Sequence, residues 1–192
     1  MRRRVVMSIA VVLVFAGSAF SQKGADIFGG YSYQRTGGEG VNGFDASVTG
    51  KVAPWVGITG EFGFHQKGST IVIPNPAVVV NADAKLTAFR FGPKFVSHVN
   101  DSTDLFVHVL AGAYRASVNV GSTGPDINTN VNGSGTGFTA ATGGGVDLRV
   151  APRIAVRPVQ IDWIHLGSAN VFGMDMGNSN GFRYSAGLVV RF

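Results

Sequence analysis

The sequence has no cysteine, little charge and, beyond its first residues, no apolar stripe at helical spacing. Without cysteine the chain forms no disulfide bonds, and it lacks the cysteine that a lipoprotein needs at its cleavage site. Charged residues make up only 14% of the 192 residues. Glycine is abundant, with 28 residues. Glycine is normally unfavourable inside strands, but it is tolerated where strands bend or where a small closed barrel leaves little interior space.

The N-terminal segment has the three parts of a secretory signal peptide. Three arginines at residues 2–4 are followed by an apolar run from Val5 to Phe20 and by a cluster of small residues. We predict a signal peptide over residues 1–21, with cleavage after Ser21; cleavage after Ala19 is the alternative. An uncleaved membrane anchor is the other interpretation, but the run is shorter than the roughly 20 apolar residues of a spanning helix.

Removal of this segment changes the electrostatic interpretation. The formal net charge of +5 includes the three N-terminal arginines, so residues 22–192 carry +2. No basic patch interleaved with aromatic residues is present, and we therefore expect no nucleic-acid partner. The four histidines show no metal-ligand spacing, and the glycine runs lack the strand–loop–helix context of a phosphate site. We accordingly expect no cofactor and no metal.

The last eleven residues form the clearest local pattern. One face of this segment carries apolar side chains, at Phe182, Tyr184, Ala186, Leu188, Val190 and Phe192. The other carries Arg183, Ser185, Gly187, Val189 and Arg191. Because strand side chains point alternately to opposite faces, this pattern predicts a two-faced strand.

Seven similar segments precede this strand, at about residues 25–35, 43–52, 55–66, 83–97, 104–118, 137–150 and 154–166. Short connections (Ala53–Pro54, His98–Thr103 and Ala151–Arg153) alternate with longer ones (Thr36–Asn42, Lys67–Ala82, Asn119–Thr136 and Gly167–Ser179). The segments are long enough to cross a membrane as tilted strands, and a sheet in lipid must close. We predict an all-β domain over residues 22–192, an eight-stranded antiparallel up-and-down transmembrane β-barrel with both termini on the periplasmic side.

The polar strand faces carry too many charges for an ordinary solvent face. They collect five acids, Asp26, Asp45, Glu61, Asp147 and Asp162, and six bases, Lys51, Arg90, Lys94, Arg149, Arg183 and Arg191. A narrow lumen suits small residues and paired charges, and buried charges need partners. We predict a lumen salt-bridge network centred on Glu61, Arg90, Lys94 and Asp147, which either holds the barrel closed or lines a gated polar path.

The seventh segment departs from simple alternation. Arg157 shares parity with Val159, Ile161 and Trp163, which should face lipid. Pro158 cannot donate to the strand ladder and is normally confined to edges or bulges. We therefore predict a bulge near Pro158 that turns Arg157 into the lumen beside Gln160 and Asp162, where it joins Arg183 and the other network residues.

Together, the segment Arg157–Trp163 and the terminal strand Ser185–Phe192 resemble the small eight-stranded bacterial outer-membrane β-barrel family, of the OmpA, OmpX and opacity-type porin-like kind. The resemblance implies a location in the bacterial outer membrane, among its lipids. It also implies a C-terminal signal read by the barrel assembly machinery, which here would comprise Tyr184, Leu188, Val190 and Phe192. Family roles include envelope structure, adhesion, minor pores and, rarely, lipid modification.

We expect a non-enzymatic protein with a structural or surface-interaction role and an occluded lumen, whose long loops could contact a surface ligand. A minor pore and a soluble lipid-binding barrel with inverted faces are the alternatives. His165 and Ser168 resemble the residue types of outer-membrane lipid A deacylases, which require a serine beside a histidine base. Their spacing of three residues places them on opposite strand faces, so we do not expect this activity.

Overall fold

The computed structural model describes residues 24–74, 77–124, 127–171, 174–175 and 177–192. The predicted signal peptide over residues 1–21 lies outside this part of the chain. The described strands are β1 (Ala25–Thr36), β2 (Glu39–Ala53), β3 (Val56–Pro74), β4 (Ala77–Asn100), β5 (Thr103–Gly124), β6 (Ile127–Ala151), β7 (Ile154–Leu166), β8 (Asn170–Val171), β9 (Met174–Asp175) and β10 (Ser179–Arg191). In the described residues, no helix is long and apolar enough to cross a membrane.

Eight of these strands close into one antiparallel barrel, in the ring order β1-β10-β7-β6-β5-β4-β3-β2. Strand β1 closes the ring against β10, with a register that runs from Asp26 opposite Arg191 to Thr36 opposite Gly181. The short β8 and β9 pair only with each other. The predicted fold class is confirmed, and each strand neighbours the next along the chain as an up-and-down meander requires.

The barrel has an apolar outside. The large apolar side chains that remain exposed alternate along the strands with buried ones, and they include Ile27, Tyr31, Phe44, Phe89, Phe91, Val107, Val109, Ile161, Leu188 and Phe192. Aromatic residues lie near the strand ends, among them Trp55, which stacks on Phe95 with ring centroids 6.1 Å apart. An apolar outer band is what a lipid-facing barrel presents, whereas a soluble barrel would turn these residues inward.

Three of the four expected longer connections are largely paired strand, and the one at Thr36–Asn42 is reduced to a two-residue turn, Gly37–Gly38, between β1 and β2. The predicted connections at Lys67–Ala82 and Asn119–Thr136 are arms of long hairpins, in which pairing continues to Pro74 opposite Ala77 and to Gly124 opposite Ile127. Backbone hydrogen bonds do not require apolar side chains, so a stretch rich in Gly, Asn, Ser and Thr can pair although its composition indicates a loop. The prediction of unpaired long loops here is wrong.

These hairpins extend past the barrel wall. The pairing of β2 with β3 ends at Asn42 opposite Gln66, and the pairing of β6 with β7 ends at Thr139 opposite Leu166. Beyond those levels β3, β4, β5 and β6 continue as a four-stranded sheet, which we call the outer sheet. The turns at the opposite end are short, as predicted, at Pro54–Trp55, Asp101–Ser102 and Pro152–Arg153.

A bulge in β7 interrupts the register where the sequence predicts it. Against β10, Ser185 lies opposite Gln160 but Gly187 lies opposite Arg157, so β7 carries one extra residue there. The register with β6 shifts at the same place. Arg157 is buried inside the barrel, whereas Ile161 remains exposed outside. The prediction that Pro158 marks a bulge that turns Arg157 inward is confirmed.

The lumen is filled in two layers. Towards the outer end, buried apolar side chains form a cluster of Ala88, Leu110, Tyr114, Ala141, Ile164, Leu166 and Ala169. Towards the short turns, the buried residues are mostly polar or charged, and Phe28, Ala155 and Val189 form a small apolar cluster beside them. Glycine makes room for the charged layer, because a Cβ at Gly143 would overlap the Asp162 carboxylate.

Candidate functional site: the charged lumen

Arg183 lies at the centre of the charged layer and is fully buried. Its Nη1 and Nη2 atoms donate to the two oxygens of Glu61, each over 2.7 Å. Its Nε and Nη2 atoms donate to Asp162 Oδ2 over 3.0 and 2.6 Å. Nη1 also lies 3.2 Å from Asp45 Oδ1. One guanidinium therefore joins three carboxylates from three strands, using the fork geometry that makes arginine suited to bidentate pairing.

Glu61 is shared between two arginines. Arg90 Nη1 donates to Glu61 Oε1 over 2.9 Å, and Arg90 Nε donates to Thr139 Oγ1 over 3.1 Å. Glu61 and Arg90 are directly opposite each other in the β3–β4 register, so strand pairing alone brings their inward side chains together. Within the network, this contact follows most directly from the pairing of two neighbouring strands.

Hydroxyls and histidines complete the central cluster. Ser185 Oγ donates to Asp45 Oδ2 over 2.7 Å and lies 3.3 Å from Ser32 Oγ. Ser32 Oγ in turn lies 2.9 Å from His65 Nε2. The remaining oxygen of Asp162 is 2.8 Å from His108 Nε2.

We call this group the central cluster: Ser32, Asp45, Glu61, His65, Arg90, His108, Thr139, Asp162, Arg183 and Ser185. It contains at least one residue from every one of the eight barrel strands. The cluster therefore ties all strands together across the lumen.

A second group of charges lies nearer the short turns and is built around Arg157. Arg157 Nε and Nη2 donate to the two oxygens of Asp147 over 2.7 and 3.0 Å. The guanidinium carbon also lies 4.3 Å from the ring centroid of Phe28 and 4.2 Å from that of Phe106. Stacking between two aromatic rings suits a weakly hydrated guanidinium, which loses less on burial than an ammonium would.

Gln160 links the two groups. Arg157 Nη1 donates to Gln160 Oε1 over 2.7 Å, and Gln160 Nε2 donates to Asp162 Oδ2 over 2.8 Å. The amide thus donates to one carboxylate while it accepts from one guanidinium, and the charged layer forms one continuous network. The link depends on the bulge, because regular pairing would turn Arg157 towards lipid.

The mouth of the barrel at the end with the short turns carries a looser set of charges. Arg191 Nη1 donates to Asp104 Oδ2 over 2.6 Å, and His98 Nδ1 lies 2.5 Å from Asp104 Oδ1. Lys51 Nζ is 2.9 Å from Asp26 Oδ1. Lys94 Nζ lies 3.8 Å from Asp147 Oδ2, too far for a hydrogen bond, and 4.0 Å from the Phe106 ring centroid.

The structure brings together all seven lumen residues singled out from the sequence, but around a different centre. Glu61, Arg90, Asp162 and Arg183 belong to the central cluster, whereas Lys94, Asp147 and Arg157 belong to the second group. The expected centre at Glu61, Arg90, Lys94 and Asp147 is therefore divided between the two. Alternation along a strand identifies which residues point inward, but it does not show which strands face each other across the lumen. Arg183 is central because its side chain contacts Asp45 and Glu61 on strands that do not neighbour its own.

Sequence reasoning missed Asp104 and the hydroxyl partners. Asp104 is the second residue of β5, a strand in which both faces are largely apolar in the sequence, so alternation does not separate the inner face from the outer one. Its partner Arg191 is 87 residues away in the chain. The only sequence signal for Asp104 was its parity with Phe106 and His108, which are buried.

Three of the four residues of the predicted assembly signal lie on the outer face of β10, and Phe192 follows its last residue. Tyr184, Leu188, Val190 and Phe192 are all exposed on the barrel. Tyr184 has a further contact, since its hydroxyl donates to the carbonyl oxygen of Pro158 over 2.7 Å. Tyr184 therefore satisfies a backbone group at the β7 bulge, a role that sequence reasoning did not foresee.

His165, the residue considered for deacylase chemistry, lies on the outside of β7. Its Nδ1 atom is 2.7 Å from Asn180 Oδ1, and its ring stacks on Trp163 with centroids 6.0 Å apart. Ser168 lies beyond the end of β7 and is exposed. In the described part of the chain, no group of three or more His, Cys, Asp or Glu residues could hold a metal ion.

Two cavities lie at opposite ends of the lumen. The one at the mouth with the short turns has a volume of about 130 Å³ and is lined by residues that include Asp26, Lys94 and Arg191. The one at the outer end has a volume of about 340 Å³ and is lined largely by apolar residues. Their described lining residues do not overlap, and Glu61, Arg90, Asp162 and Arg183 line neither cavity.

Comparison with solved structures identifies the architecture. Ail, the attachment invasion locus protein of Yersinia pestis, matches 88% of this chain and 98% of its own with a TM-score of 0.58 and 17% identity, in a structure with the heparin analogue sucrose octasulfate. Neisserial surface protein A (NspA) matches 88% of this chain and 96% of its own, with a TM-score of 0.59 and 15% identity. The chain has the fold of the small outer-membrane β-barrels. No family model and no curated protein sequence matches it.

The barrel has two chemically different surfaces. Its outer face is apolar, and its buried lumen residues are charged or hydrogen-bonded at the level of the central cluster. A soluble barrel with the opposite arrangement does not fit these faces. The fold is that of outer-membrane barrels, and the apolar exterior is the surface that such a barrel presents to lipid.

Proposed function

We propose that this protein is a closed, non-enzymatic barrel of the outer membrane that displays the outer sheet to the surroundings. The observation that carries the proposal is the central cluster, to which every barrel strand contributes. Eight strands joined through one network of buried hydrogen bonds give a rigid plug, since each charge would lose its partners if the lumen widened.

The charge distribution supports occlusion rather than conduction. A conducting lumen needs side chains that ions can approach, whereas Arg183 and Asp162 are fully buried and face each other. The residues that separate the two end cavities are joined by short ion pairs, such as the 2.6 Å contact between Arg183 Nη2 and Asp162 Oδ2. The network therefore acts as a structural closure in this proposal.

Single-channel recording in planar bilayers tests the closure. The wild-type barrel should be electrically silent, because the central cluster spans the lumen. Discrete conductance steps that change in amplitude in Glu61→Ala would overturn the proposal and favour a minor pore. Arg115→Ala, at an exposed arginine on the outer part of β5, is the matched control, and heat-modifiable gel migration should show that each variant is folded before recording.

The outer sheet supports the surface-interaction half of the proposal. Ail was crystallised with a heparin analogue, but the hairpin arms of this chain do not favour a polyanion. The stretch Lys67–Ala82 contains one basic residue, Lys67, and Asn119–Thr136 contains none. Exposed Ile71, Val72 and Val131 lie on these arms. We infer that a partner of the outer sheet would present an uncharged surface.

We further infer that the barrel assembly machinery reads Tyr184, Leu188, Val190 and Phe192. Their shared outward face on the closing strand supports this inference, since a strand that has not yet closed leaves that face open to a recognition partner. Replacement of Phe192 by alanine should lower the fraction of protein recovered in the membrane after carbonate washing. An unchanged fraction would show that the terminal aromatic is not needed.

A further inference from the structure

The outer half of the lumen contains a cavity that the charged network does not explain. Its volume is about 340 Å³, within the usual range of ligand pockets. Its apolar walls are supplied by inward-facing residues: Val41, Leu86, Ala116, Val118, Leu166 and Ala169. Lys85 and Ser117 also line it, at strand positions that alternate with the inward-facing ones. Because unfilled apolar space forfeits dispersion contacts, a cavity of this size and lining is suited to an apolar occupant.

Polar groups lie at both ends of this cavity. At the inner end, His65 borders the cavity while its Nε2 atom lies 2.9 Å from Ser32 Oγ. His65 therefore joins the cavity to the central cluster. At the outer end, Thr36 ends β1 and Ser179 begins β10, and both line the cavity. An occupant would meet apolar walls along its length and hydroxyl groups where it leaves the barrel.

We propose that this cavity binds the aliphatic tail of a single-chain amphiphile with a neutral, hydrogen-bonding head. The tail would lie between Leu86, Ala116 and Leu166, and the head would lie near the hydroxyls of Thr36 and Ser179. An apolar cavity of about 150 Å³ holds the six carbons of benzene, so the roughly 340 Å³ here suit about fourteen carbon atoms. The one aromatic residue in the described lining, Tyr114, donates its hydroxyl to the Gly167 carbonyl over 2.6 Å, which leaves the walls aliphatic in character.

Chain length gives the sharpest test of the proposed occupant. The probes are normal primary alcohols from hexanol to hexadecanol, titrated into the full barrel in lipid nanodiscs. Inside the cavity, each added methylene should tighten binding about fourfold, until the tail fills the space at about fourteen carbons and the affinity levels off. Partition into the nanodisc lipid continues to strengthen with length, so a rise without a plateau would overturn the proposal.

Methyl-resolved NMR locates the bound tail in the same titration. The methyl signals of Leu86, Leu166 and Val118, which face the cavity, should shift with alcohol concentration and saturate. The signals of Leu105 and Leu188, which face lipid, should change little. Equal shifts at the inward and outward methyls would show that the alcohol acts through the membrane alone, and unchanged inward methyls would show that the cavity does not bind it.

A cavity-filling pair of variants completes the test. Ala116→Phe places a ring in the cavity and should weaken decanol binding by at least about tenfold, because the ring takes the space of several methylenes. Ala113→Phe adds the same ring three residues earlier, on the outer face of β5, and should leave binding unchanged. Heat-modifiable migration and native-like signals of Leu105 and Leu188 show that each variant is folded. Equal affinities in the two folded variants would overturn the proposal.

Discussion

The two halves of the lumen are enclosed by the same eight strands but are filled by opposite chemistry. In the charged half, Arg183, Glu61 and Asp162 satisfy one another at distances below 3.1 Å. In the outer half, Leu110 and Ile164 are buried among apolar neighbours beside a cavity. The barrel therefore determines which residues point inward, while the identity of those residues determines whether a level of the lumen is sealed or left open to an occupant.

The comparison also separates two kinds of stability. Charged partners in the inner half depend on each other, since removal of one leaves the others buried without compensation. Apolar residues in the outer half contribute through contact area and volume, which can be lost in part. A substitution in the inner half should therefore be more costly than one in the outer half, and its effect should depend on which partner remains.

The largest expected effect is that of Arg183→Met. The change keeps most of the side-chain volume but leaves Asp45, Glu61 and Asp162 close together without their shared cation. We expect the free energy of unfolding to fall by about 3–5 kcal/mol, as measured by urea unfolding in lipid vesicles.

Arg115→Met is the control for that change, because Arg115 is exposed and its Nη2 donates only to Ser134 over 3.0 Å among the contacts described here. Its effect should stay within about 0.5 kcal/mol. If the two variants lose similar amounts of stability, the central cluster is not the main tie across the lumen, and the contrast between the two halves fails.

A smaller effect is expected for Leu110→Ala in the outer half. The buried leucine should lose its transfer free energy together with a cavity penalty, about 3 kcal/mol in total. Leu105→Ala, on the outer face of the same strand, should cost about 2 kcal/mol, because lipid refills the space and only the transfer of the removed carbons is lost. The same vesicle unfolding assay measures both. A larger loss for Leu105 than for Leu110 would show that the outer half is not a packed core.

The smallest expected effect is a difference between the coupling free energies of two contacts that a single carboxylate makes. Asp147 accepts two hydrogen bonds from Arg157, over 2.7 and 3.0 Å, but lies 3.8 Å from Lys94. Double-mutant cycles that combine Asp147→Asn with Arg157→Met or with Lys94→Met should give a coupling free energy of about 1.5–3 kcal/mol for the arginine pair and below about 1 kcal/mol for the lysine pair. Equal couplings would mean that charge alone, and not bidentate geometry, holds Asp147.

Much of the barrel was predictable from local sequence because its causes are local. Alternation in segments such as Phe182–Phe192 predicted the strands and their faces, and Pro158 predicted the bulge that turns Arg157 inward. Strand β5 shows where this fails: Val107 and Val109 alternate with Phe106 and Leu110, so both faces are apolar in the sequence. Only the closed ring shows that the second set is buried, and the apolar outer half was missed for that reason.

The arrangement of the charges was not predictable for a different reason. Arg183 and Glu61 are 122 residues apart in the chain, and their contact depends on how strands face each other across the ring. The hairpin extensions at Lys67–Ala82 and Asn119–Thr136 were missed because their pairing is carried by backbone groups, and their side chains show a loop-like composition. Register across a lumen and pairing of polar strands are both properties of the folded ring.

The pairing of β1 with β10 has a consequence for the order in which the molecule is made. Its contacts join the two ends of the barrel sequence, and contacts of such long sequence separation cost the most chain entropy to form. Arg183, on the last strand, cannot contact both Glu61 and Asp162 until β1 and β10 have paired. The bonds that join Arg183 to Glu61 therefore form only when the ring closes, and they must break before β1 and β10 can separate.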